Sequence, residues 1–416
     1  MRSIAPLAAA ITALLLVAVP CAAQQQSQLP RPWVELSADG ALSVRAVVAP
    51  GTACPQVTAD GAVLPSVARG RPDAVFPVQL CEARAPLETT RLSVNGAALP
   101  VLPATVQRIL VIGDTGCRIV GRAAQNCADP AAWPFATIAA RGVAKRPDLV
   151  IHVGDYYYRE KGCPAAIAGC AGSPHGDNWP TWKAELFDPA VSLFAAAPWL
   201  VVRGNHETCR RGGQGWFRLL DPSPFRPDCA THTAPYRISA GGLELIVFDS
   251  GEADDFIAAP DTVAAYAAEL APLLAAARPH TWLLTHRPVW AMAQAELAGL
   301  ATLNQTEQAA LRGRVAPNLD LVLSGHLHDF ISYEFGPERP AQLVVGTGGD
   351  TLLKLGEVPI VGAEIDGMPV KKGFASARFG YFVMERSGGG WDGTFYAPDD
   401  AVLARCRLEG RALDCR

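Results

Sequence analysis

The feature that most constrains the fold of this 416-residue chain is a series of short apolar runs, each followed directly by a small polar cluster. Five runs have this form: 108–112, 148–153, 199–202, 281–284 and 319–323. Apolar runs of this length are typical of buried strands, and two more, 243–248 and 342–345, add to them. Stretches with helical character lie between them, at about 130–145, 179–194, 261–278 and 306–315. Strands that alternate with helices predict a layered α/β domain with helices packed on sheet faces.

The polar clusters that follow the five runs supply oxygen and imidazole ligands. They are Gly113–Gly116, Gly154–Tyr158, Gly204–Glu207, Thr285–His286 and Gly325–His328. In open α/β sheets the site forms beyond the carboxyl ends of the strands, so these distant residues can converge. Alone, each cluster would be an ordinary turn or a hydrogen-bonded core histidine. Together, their carboxylates, phenol, amide and imidazoles suit hard or borderline cations, and we expect one site for two metal ions.

At these residues the chain resembles the calcineurin-like metallophosphoesterases, and within them the purple acid phosphatases. The family signature, GDxG, GDxxY, GNH(D/E), xxxH and GHxH, matches in order over about 108–329. The three-residue spacing from Asp155 to Tyr158 is that of the purple enzymes, whereas Gly116 stands where many other relatives have a histidine. The resemblance implies a layered metallophosphoesterase β-sandwich flanked by helices.

The resemblance also implies two sets of metal ligands that share one aspartate. The first set is Asp114, Asp155, Tyr158 and His328, and the second is Asp155, Asn205, His286 and His326. A phenol with a pKa of about 10 becomes a ligand when a strongly polarising ion displaces its proton, which favours Fe(III) at the Tyr158 site. An amide with two imidazoles suits Zn, Mn or Fe(II) at the second site. From the residues alone Tyr156 and Tyr157 remain alternatives for the phenolate, so Tyr158 rests on the resemblance.

The implied activity is hydrolysis of phosphomonoesters by attack of a metal-bound hydroxide, as in an acid phosphatase, without a protein nucleophile. His206, next to Asn205, is the expected catalytic side chain, and would contact the phosphate or protonate the leaving group. Arg118 and Arg287 are candidate phosphate contacts because guanidinium matches phosphate geometry. Structural or solvent-facing roles are equally open for both arginines.

Two other functions are compatible with the same residues. A phosphodiesterase or a nucleotide-hydrolysing relative would use the same metal centre, because the walls of the surrounding cleft decide which phosphate ester binds. A non-catalytic binding protein on this scaffold is the alternative from another class. The expected partner is a small phosphorylated substrate. With 36 Lys and Arg against 40 Asp and Glu, a net charge of −4 and no basic run, nucleic-acid binding is not indicated. The sequence does not predict an oligomeric state.

The N-terminus predicts export. An apolar stretch from Leu7 to Val19, followed by Cys21-Ala22-Ala23, is typical of a secretory signal peptide over residues 1–23. A membrane helix is an alternative, but the stretch is short for spanning, and a lipid anchor on Cys21 is disfavoured by Pro20. We therefore expect a secreted or periplasmic protein without a membrane anchor.

The cysteines predict a disulfide-bonded protein. Of 11 cysteines, loss of Cys21 with the signal leaves ten, an even number that suggests five bonds in an oxidising compartment. The simplest pairing joins neighbours: Cys54 with Cys81, Cys117 with Cys127, Cys163 with Cys170, Cys209 with Cys229, and Cys406 with Cys415. A cysteine-bound zinc is the weaker alternative because no CxxC pair occurs.

A composition break near Pro103 predicts two domains. Residues 24–104 contain short strands broken by Gly, Pro, Asn and Asp, which indicates a small all-β sandwich of the fibronectin III type. Its packing as an extension of the catalytic core is the alternative. Residues 105–400 would form the metallophosphoesterase domain and 401–416 a C-terminal tail. From Gly373 onward the pattern predicts strands, at 380–384 and 393–396, that finish the sheet and end in a disulfide hairpin.

Overall fold

The computed structural model describes residues 29–120, 123–295, 299–353 and 359–416. The predicted signal peptide lies outside the described residues. The strands are β1 Trp33–Leu36, β2 Leu42–Val48, β3 Val57–Ala59, β4 Ala62–Leu64, β5 Ser66–Arg69, β6 Gln79–Ala85, β7 Leu92–Val94, β8 Ala97–Leu99, β9 Arg108–Ile112, β10 Ile119–Val120, β11 Ala123–Ala124, β12 Leu149–His152, β13 Trp199–Val201, β14 Tyr236–Ala240, β15 Leu243–Phe248, β16 Thr281–Thr285, β17 Met292–Ala295, β18 Gly299–Thr302, β19 Leu319–Ser324, β20 Phe330–Glu334, β21 Ala341–Val345, β22 Glu364–Ile365, β23 Met368–Pro369, β24 Lys372–Ser376, β25 Tyr381–Ser387, β26 Gly390–Tyr396, β27 Val402–Glu409 and β28 Ala412–Cys415.

The α-helices are α1 Phe135–Ala144, α2 Trp179–Trp182, α3 Val191–Phe194, α4 Gly213–Leu219, α5 Pro260–Ala275 and α6 Gln305–Leu311. A π-helical turn, Lys183–Phe187, joins α2 to α3, and 3₁₀ turns lie at Ala168–Cys170 and Asn205–Glu207. The predicted stretch 179–194 is therefore helical in three short segments. Among the described residues, none of the helices has the length and apolar character needed to cross a membrane.

Two large sheets form the centre of the molecule. The first has 11 strands in the order β28-β27-β26-β25-β9-β12-β13-β1-β2-β6-β5, and β9, β12 and β13 run parallel at its middle. The second has seven strands in the order β14-β15-β16-β19-β21-β20-β24, and β15, β16, β19 and β21 run parallel. All seven apolar runs of the sequence are strands at the middle of these sheets, as predicted.

Apolar side chains on the facing surfaces of the two sheets form one continuous core. It contains Val111 and Ile151 from the first sheet and Leu284, Leu323 and Phe330 from the second. A second core packs α1, α3 and α4 on the outer face of the first sheet, and a third packs α5 and α6 on the outer face of the second. This order of layers, helix, sheet, sheet, helix, confirms the predicted sandwich flanked by helices.

The N-terminal region is all β, as predicted, but part of it continues the first sheet. Strand β1 pairs in parallel with β13 at Glu35 and Trp199, and β2, β6 and β5 follow in order. Strands β3, β4, β7 and β8 form a separate four-stranded sheet. This topology favours the alternative in which the region extends the catalytic core, and the boundary at 104/105 stays a prediction. At the opposite edge, β25 to β28 complete the first sheet, as expected of the C-terminal residues.

Five disulfides join the neighbouring cysteines in the predicted pairs: Cys54–Cys81, Cys117–Cys127, Cys163–Cys170, Cys209–Cys229 and Cys406–Cys415. Three of them close loops that begin a few residues after a predicted metal ligand. Loop closure reduces the conformational freedom of these segments.

Candidate metal centre

The loops that follow β9, β12, β13, β16 and β19 meet at the carboxyl ends of the two sheets and bring the seven predicted ligands together. Two of these strands, β16 and β19, belong to the second sheet, so the cluster spans the junction between the sheets. Some of these residues lie more than 200 positions apart in the chain. The backbone N–H of His326, for example, donates to Asp114 Oδ2 over 3.0 Å. The convergence expected from the strand pattern is present.

Three of the predicted ligands surround the phenol of a fourth. The Tyr158 Oη lies 2.9 Å from Asp155 Oδ2, 3.1 Å from Asp114 Oδ1 and 3.0 Å from His328 Nε2. The other two tyrosines of the motif point elsewhere: Tyr156 donates its hydroxyl to the Val202 carbonyl, and the Tyr157 ring stacks on Trp182. Of the three phenols left open by the sequence, only the hydroxyl of Tyr158 faces the cluster.

The remaining ligands surround His286 on the other side of Asp155. The His286 Nε2 lies 3.1 Å from both Asn205 Oδ1 and Asp155 Oδ2. Ligand atoms of Asp155, His286 and His326 all lie within 4.8 Å of one another. Asp155 Oδ2 thus contacts both the phenol of the first set and an imidazole of the second, which is the position required of a bridging carboxylate.

Backbone carbonyls orient the imidazole rings of two ligand histidines. The Nδ1 atoms of His286 and His328 each lie 2.8 Å from a carbonyl oxygen, that of Val153 and that of Thr351. A ring nitrogen that donates to a carbonyl carries its proton at Nδ1, so the Nε2 atoms that face the cluster keep a lone pair for a metal.

The backbone at the ligands is in a conformation that few residues adopt. Asp114, Asp155 and His326 have φ values of 55°, 59° and 70°, in the left-handed region. Two glycines make room for the carboxylates: a Cβ at Gly204 would lie 2.0 Å from Asp155 Oδ1, and one at Gly325 would lie 2.4 Å from Asp114 Oδ2. Strain of this kind persists where the surrounding structure maintains it, and is common at functional sites.

Two buried glutamates maintain these loops. Glu207 accepts hydrogen bonds from the backbone N–H groups of Asp155, Tyr156, Tyr157 and Gly204. Glu185, in the π-helical turn, accepts from the N–H groups of Cys117 and Tyr158. Glu207 belongs to a predicted cluster, whereas Glu185 had no signal in the sequence beyond its place in a helical stretch. Neither was predicted to position ligands.

The acidic side chains of the cluster are buried and need positive charge nearby to stay ionised. It raises the pKa of Asp114 well above its ordinary value, and the neighbouring Asp155 and Asp350 add to the effect. Burial, with Asp155 and Asp114, raises the pKa of Tyr158 as well. For Asp155, burial alone would raise the pKa, but His286 and His206 together hold it well below the usual range. Cations among these donors would stabilise the deprotonated forms, so the residues fit the predicted ions.

His206 lies against the first set of ligands. Its ring packs on that of Tyr158 with centroids 3.8 Å apart, and its Nε2 lies 3.9 Å from Asp155 Oδ2. Its Nδ1 lies 2.8 Å from Glu160 Oε1, and the same carboxylate oxygen lies 2.6 Å from Arg211 Nη2. The predicted catalytic side chain is therefore at the cluster, and Glu160, which the sequence did not reveal, orients it.

Both candidate arginines reach the cluster, but each is paired with an aspartate. Arg118 bonds to Asp350 and lies over the Tyr158 ring, while Arg287 contacts Asp255 and His326. Neither aspartate was a predicted site residue. Asp350 follows β21, and its place beyond a strand end was a usable signal. Asp255, in the loop after β15, had none.

Comparison with known proteins agrees with the geometry. The family model of the calcineurin-like phosphoesterases matches residues 107–330. The fold is similar to that of purple acid phosphatase PPD1 from yellow lupin (Lupinus luteus) seeds, with a TM-score of 0.59 and 14% identity over 91% of this chain and 74% of that one. It is also similar to PhoD, with a TM-score of 0.53 and 13% identity over 94% and 92% of the two chains. At such identities these structures show the fold alone. A search of curated protein sequences found no match.

Proposed function

Because the chain belongs to the calcineurin-like phosphoesterases, a family of metal-dependent phosphoester hydrolases, we propose that it is an exported phosphatase that hydrolyses phosphomonoesters at two metal ions. The observation that carries the proposal is the position of Asp155, whose Oδ2 lies 2.9 Å from the Tyr158 phenol and 3.1 Å from His286. A carboxylate oxygen between two donor sets is suited to hold a pair of ions.

The first ion would be held by Asp114, Asp155, Tyr158 and His328, and the second by Asp155, Asn205, His286 and His326. When bound, the ions would supply an activated water and positive charge on the phosphate oxygens. The buried phenol supports Fe(III) at the first position, since a strongly polarising ion is needed to displace its proton. The amide and imidazoles of the second position support Zn, Mn or Fe(II).

The protein residues contribute orientation and a proton donor. Carbonyl contacts at Nδ1 orient the ligand imidazoles, and Glu207 and Glu185 hold the loops that carry Asp155 and Tyr158. His206, 5% exposed beside the cluster, would contact the phosphate or protonate the leaving oxygen. Acid phosphatase activity of this type needs no covalent step on the protein.

The test compares 4-nitrophenyl phosphate with its bis-ester before and after removal of metal by a chelator. We expect faster turnover of the monoester, loss of turnover on chelation, and recovery when metal is restored. Faster turnover of the diester would instead favour the phosphodiesterase. Absence of hydrolysis in protein that contains two ions would favour a non-catalytic binding protein.

The ferric ion is tested by the colour of the protein. A phenolate bound to Fe(III) gives a visible charge-transfer band, so the oxidised protein should absorb visible light and Tyr158→Phe should not. Tyr157→Phe is the matched control, because the ring of Tyr157 stacks on Trp182 away from the cluster. A colourless, iron-free protein with full activity would show that the assignment of iron is wrong.

Export is part of the proposal. The predicted signal peptide and the five disulfides support a secreted or periplasmic location, because disulfides persist in oxidising compartments. N-terminal sequencing of protein recovered outside the cytoplasm should begin at about residue 24.

A further inference from the structure

Each histidine of the Gly325–His328 turn has an aspartate beside its Nε2 atom. Asp255 Oδ2 lies 3.2 Å from His326 Nε2, and Asp350 Oδ2 lies 3.3 Å from His328 Nε2. The aspartates come from different loops, one after β15 and one after β21. Asp255 therefore lies beside the second set of ligands, and Asp350 lies beside the first.

Each of these aspartates is paired with an arginine. Arg118 Nε donates to Asp350 Oδ1 over 2.9 Å, and its Nη2 bonds to the other oxygen. Arg287 bonds through Nη1 to Asp255 Oδ2. The pairs neutralise two carboxylates that would otherwise oppose the approach of an anion. They also hold the guanidinium groups in place, which reduces the entropy lost when an anion binds.

The two guanidinium groups lie at the two sets of ligands. The Arg118 group lies 5.1 Å from the centroid of the Tyr158 ring, and Arg287 Nη1 lies 2.8 Å from His326 Nε2. Their side chains are 25% and 13% exposed, so both are partly open to solvent. In the second pair, Arg287 Nε and Asp255 Oδ1 are buried without a hydrogen-bond partner among the described residues. An unpaired buried donor is costly, so Arg287 Nε points to a missing acceptor such as a phosphate oxygen, whereas the Asp255 oxygen would need a donor.

We infer that Arg118 and Arg287, positioned by Asp350 and Asp255, bind the non-bridging oxygens of the substrate phosphate and select doubly charged monoesters over singly charged diesters. This inference rests on the proposed phosphatase function and names the residues that decide its substrate class. The guanidinium N–H groups on either side of the centre donate to non-bridging oxygens, of which a monoester has more than a diester, and an esterified oxygen accepts a charged hydrogen bond poorly.

The test uses Arg118→Gln and Arg287→Gln, with Arg312→Gln as the matched control. Arg312 also pairs with an aspartate, Asp366, but is 66% exposed and outside the cluster. For each variant we would measure metal content, kcat and KM for 4-nitrophenyl phosphate and its bis-ester, and binding of inorganic phosphate by titration calorimetry. We expect each Gln variant to bind phosphate about 10-fold or more weakly and to raise the monoester KM similarly. Metal content should change less than about 3-fold, as should every constant of the control variant, and kcat/KM should fall less for the diester than for the monoester.

The aspartates are tested by a double-mutant cycle. If Asp255 acts by positioning Arg287, Asp255→Asn should weaken phosphate binding, and the double variant should bind no more weakly than Arg287→Gln alone. Additive losses would show that Asp255 acts independently of the arginine. The same cycle applies to Asp350 and Arg118.

Two outcomes would overturn the inference. One is unchanged phosphate binding in Gln variants with normal metal content, and the other is an equal loss of monoester and diester turnover. If a Gln variant does not fold, the Lys variant replaces it, and there we expect binding weakened by about 3-fold or more because the planar fork is lost. Unchanged phosphate binding in the Lys variant would also contradict the inference. Failure of the proposed function is a separate result, since phosphate binding does not depend on turnover.

Discussion

At the scale of single residues, His206 shows how a motif residue depends on partners outside its motif. Its ring is fixed on one side by the Tyr158 ring and at Nδ1 by Glu160, which leaves Nε2 directed at the cluster. Glu160 is held in turn by Arg211. This arrangement matches a base or acid whose ring is oriented by a carboxylate.

The prediction for this residue concerns turnover rather than metal binding. His206→Ala should lower kcat by about 10²-fold, in line with a general acid or electrostatic role, with near-normal metal content. Glu160→Gln should lower kcat by a smaller factor and leave KM and metal content near normal, because the ring loses its orientation only. The readouts are steady-state kinetics and metal analysis. Full activity of His206→Ala would reduce this residue to a structural role.

At the scale of elements, the N-terminus of α6 is fixed to the end of β16 by buried polar groups. Asn304, with a φ of 54°, caps the helix by accepting from the Glu307 N–H. Glu307 Oε1 accepts from Thr285 Oγ1 over 3.1 Å, and its other oxygen bonds to the Asn304 amide. Thr285 precedes His286, so α6 supports the strand end that presents this ligand.

Glu307 should make stability depend on pH. Burial raises its pKa to about 8, despite hydrogen bonds from Asn304 and Thr285 that lower it. Between its ordinary value, 4.5, and about 8, the unfolded chain loses this proton while the folded protein keeps it. The contribution of Glu307 to stability is therefore complete below the lower value and is lost as pH rises through the higher one.

We expect the melting temperature to fall from about pH 5 to about pH 8, and Glu307→Gln to flatten this dependence because the amide does not titrate. Glu338→Gln is the control, since Glu338 is 65% exposed. A pH dependence that is identical in Glu307→Gln and wild type would contradict the assignment.

At the scale of the whole molecule, a buried network joins the N-terminal strands to the catalytic layers. Arg45 lies 2.8 Å from Glu35 and donates to the carbonyls of Leu219, the last residue of α4, and Asp221, two residues further on. Arg69 bonds to Glu82 and also to the Asp221 carbonyl. The core between the sheets likewise contains Val34 and Val44 together with Val111 and Leu284. These contacts predict that both regions unfold as one unit.

The test is urea unfolding of wild type and Arg45→Met, followed by tryptophan fluorescence and by activity. Removing Arg45 leaves Glu35, which is fully buried, without its ion-pair partner, and such a loss costs about 3–5 kcal/mol. Both probes should show one transition, and in Arg45→Met its midpoint should move to the same lower urea concentration for both. If fluorescence reports an early transition while activity persists, residues 24–104 are an independent domain, as the composition break suggested.

The sequence alone was enough to predict the seven apolar strands at the middle of the sheets, the disulfide pairs and the convergence of the ligand clusters. Strand periodicity and motif spacing are local properties, and the carboxyl ends of parallel strands meet at one edge wherever the sheet forms. The ligand role of Asp114 and its partners stays a prediction that rests on these motifs. The sequence did not reveal that β1 extends the catalytic sheet or that Glu160, Glu185, Asp255 and Asp350 border the centre. Those contacts join loops distant in the chain, and apart from the place of Asp350 after a strand no period or motif marks these residues, so the contacts arise from the packing of the folded layers.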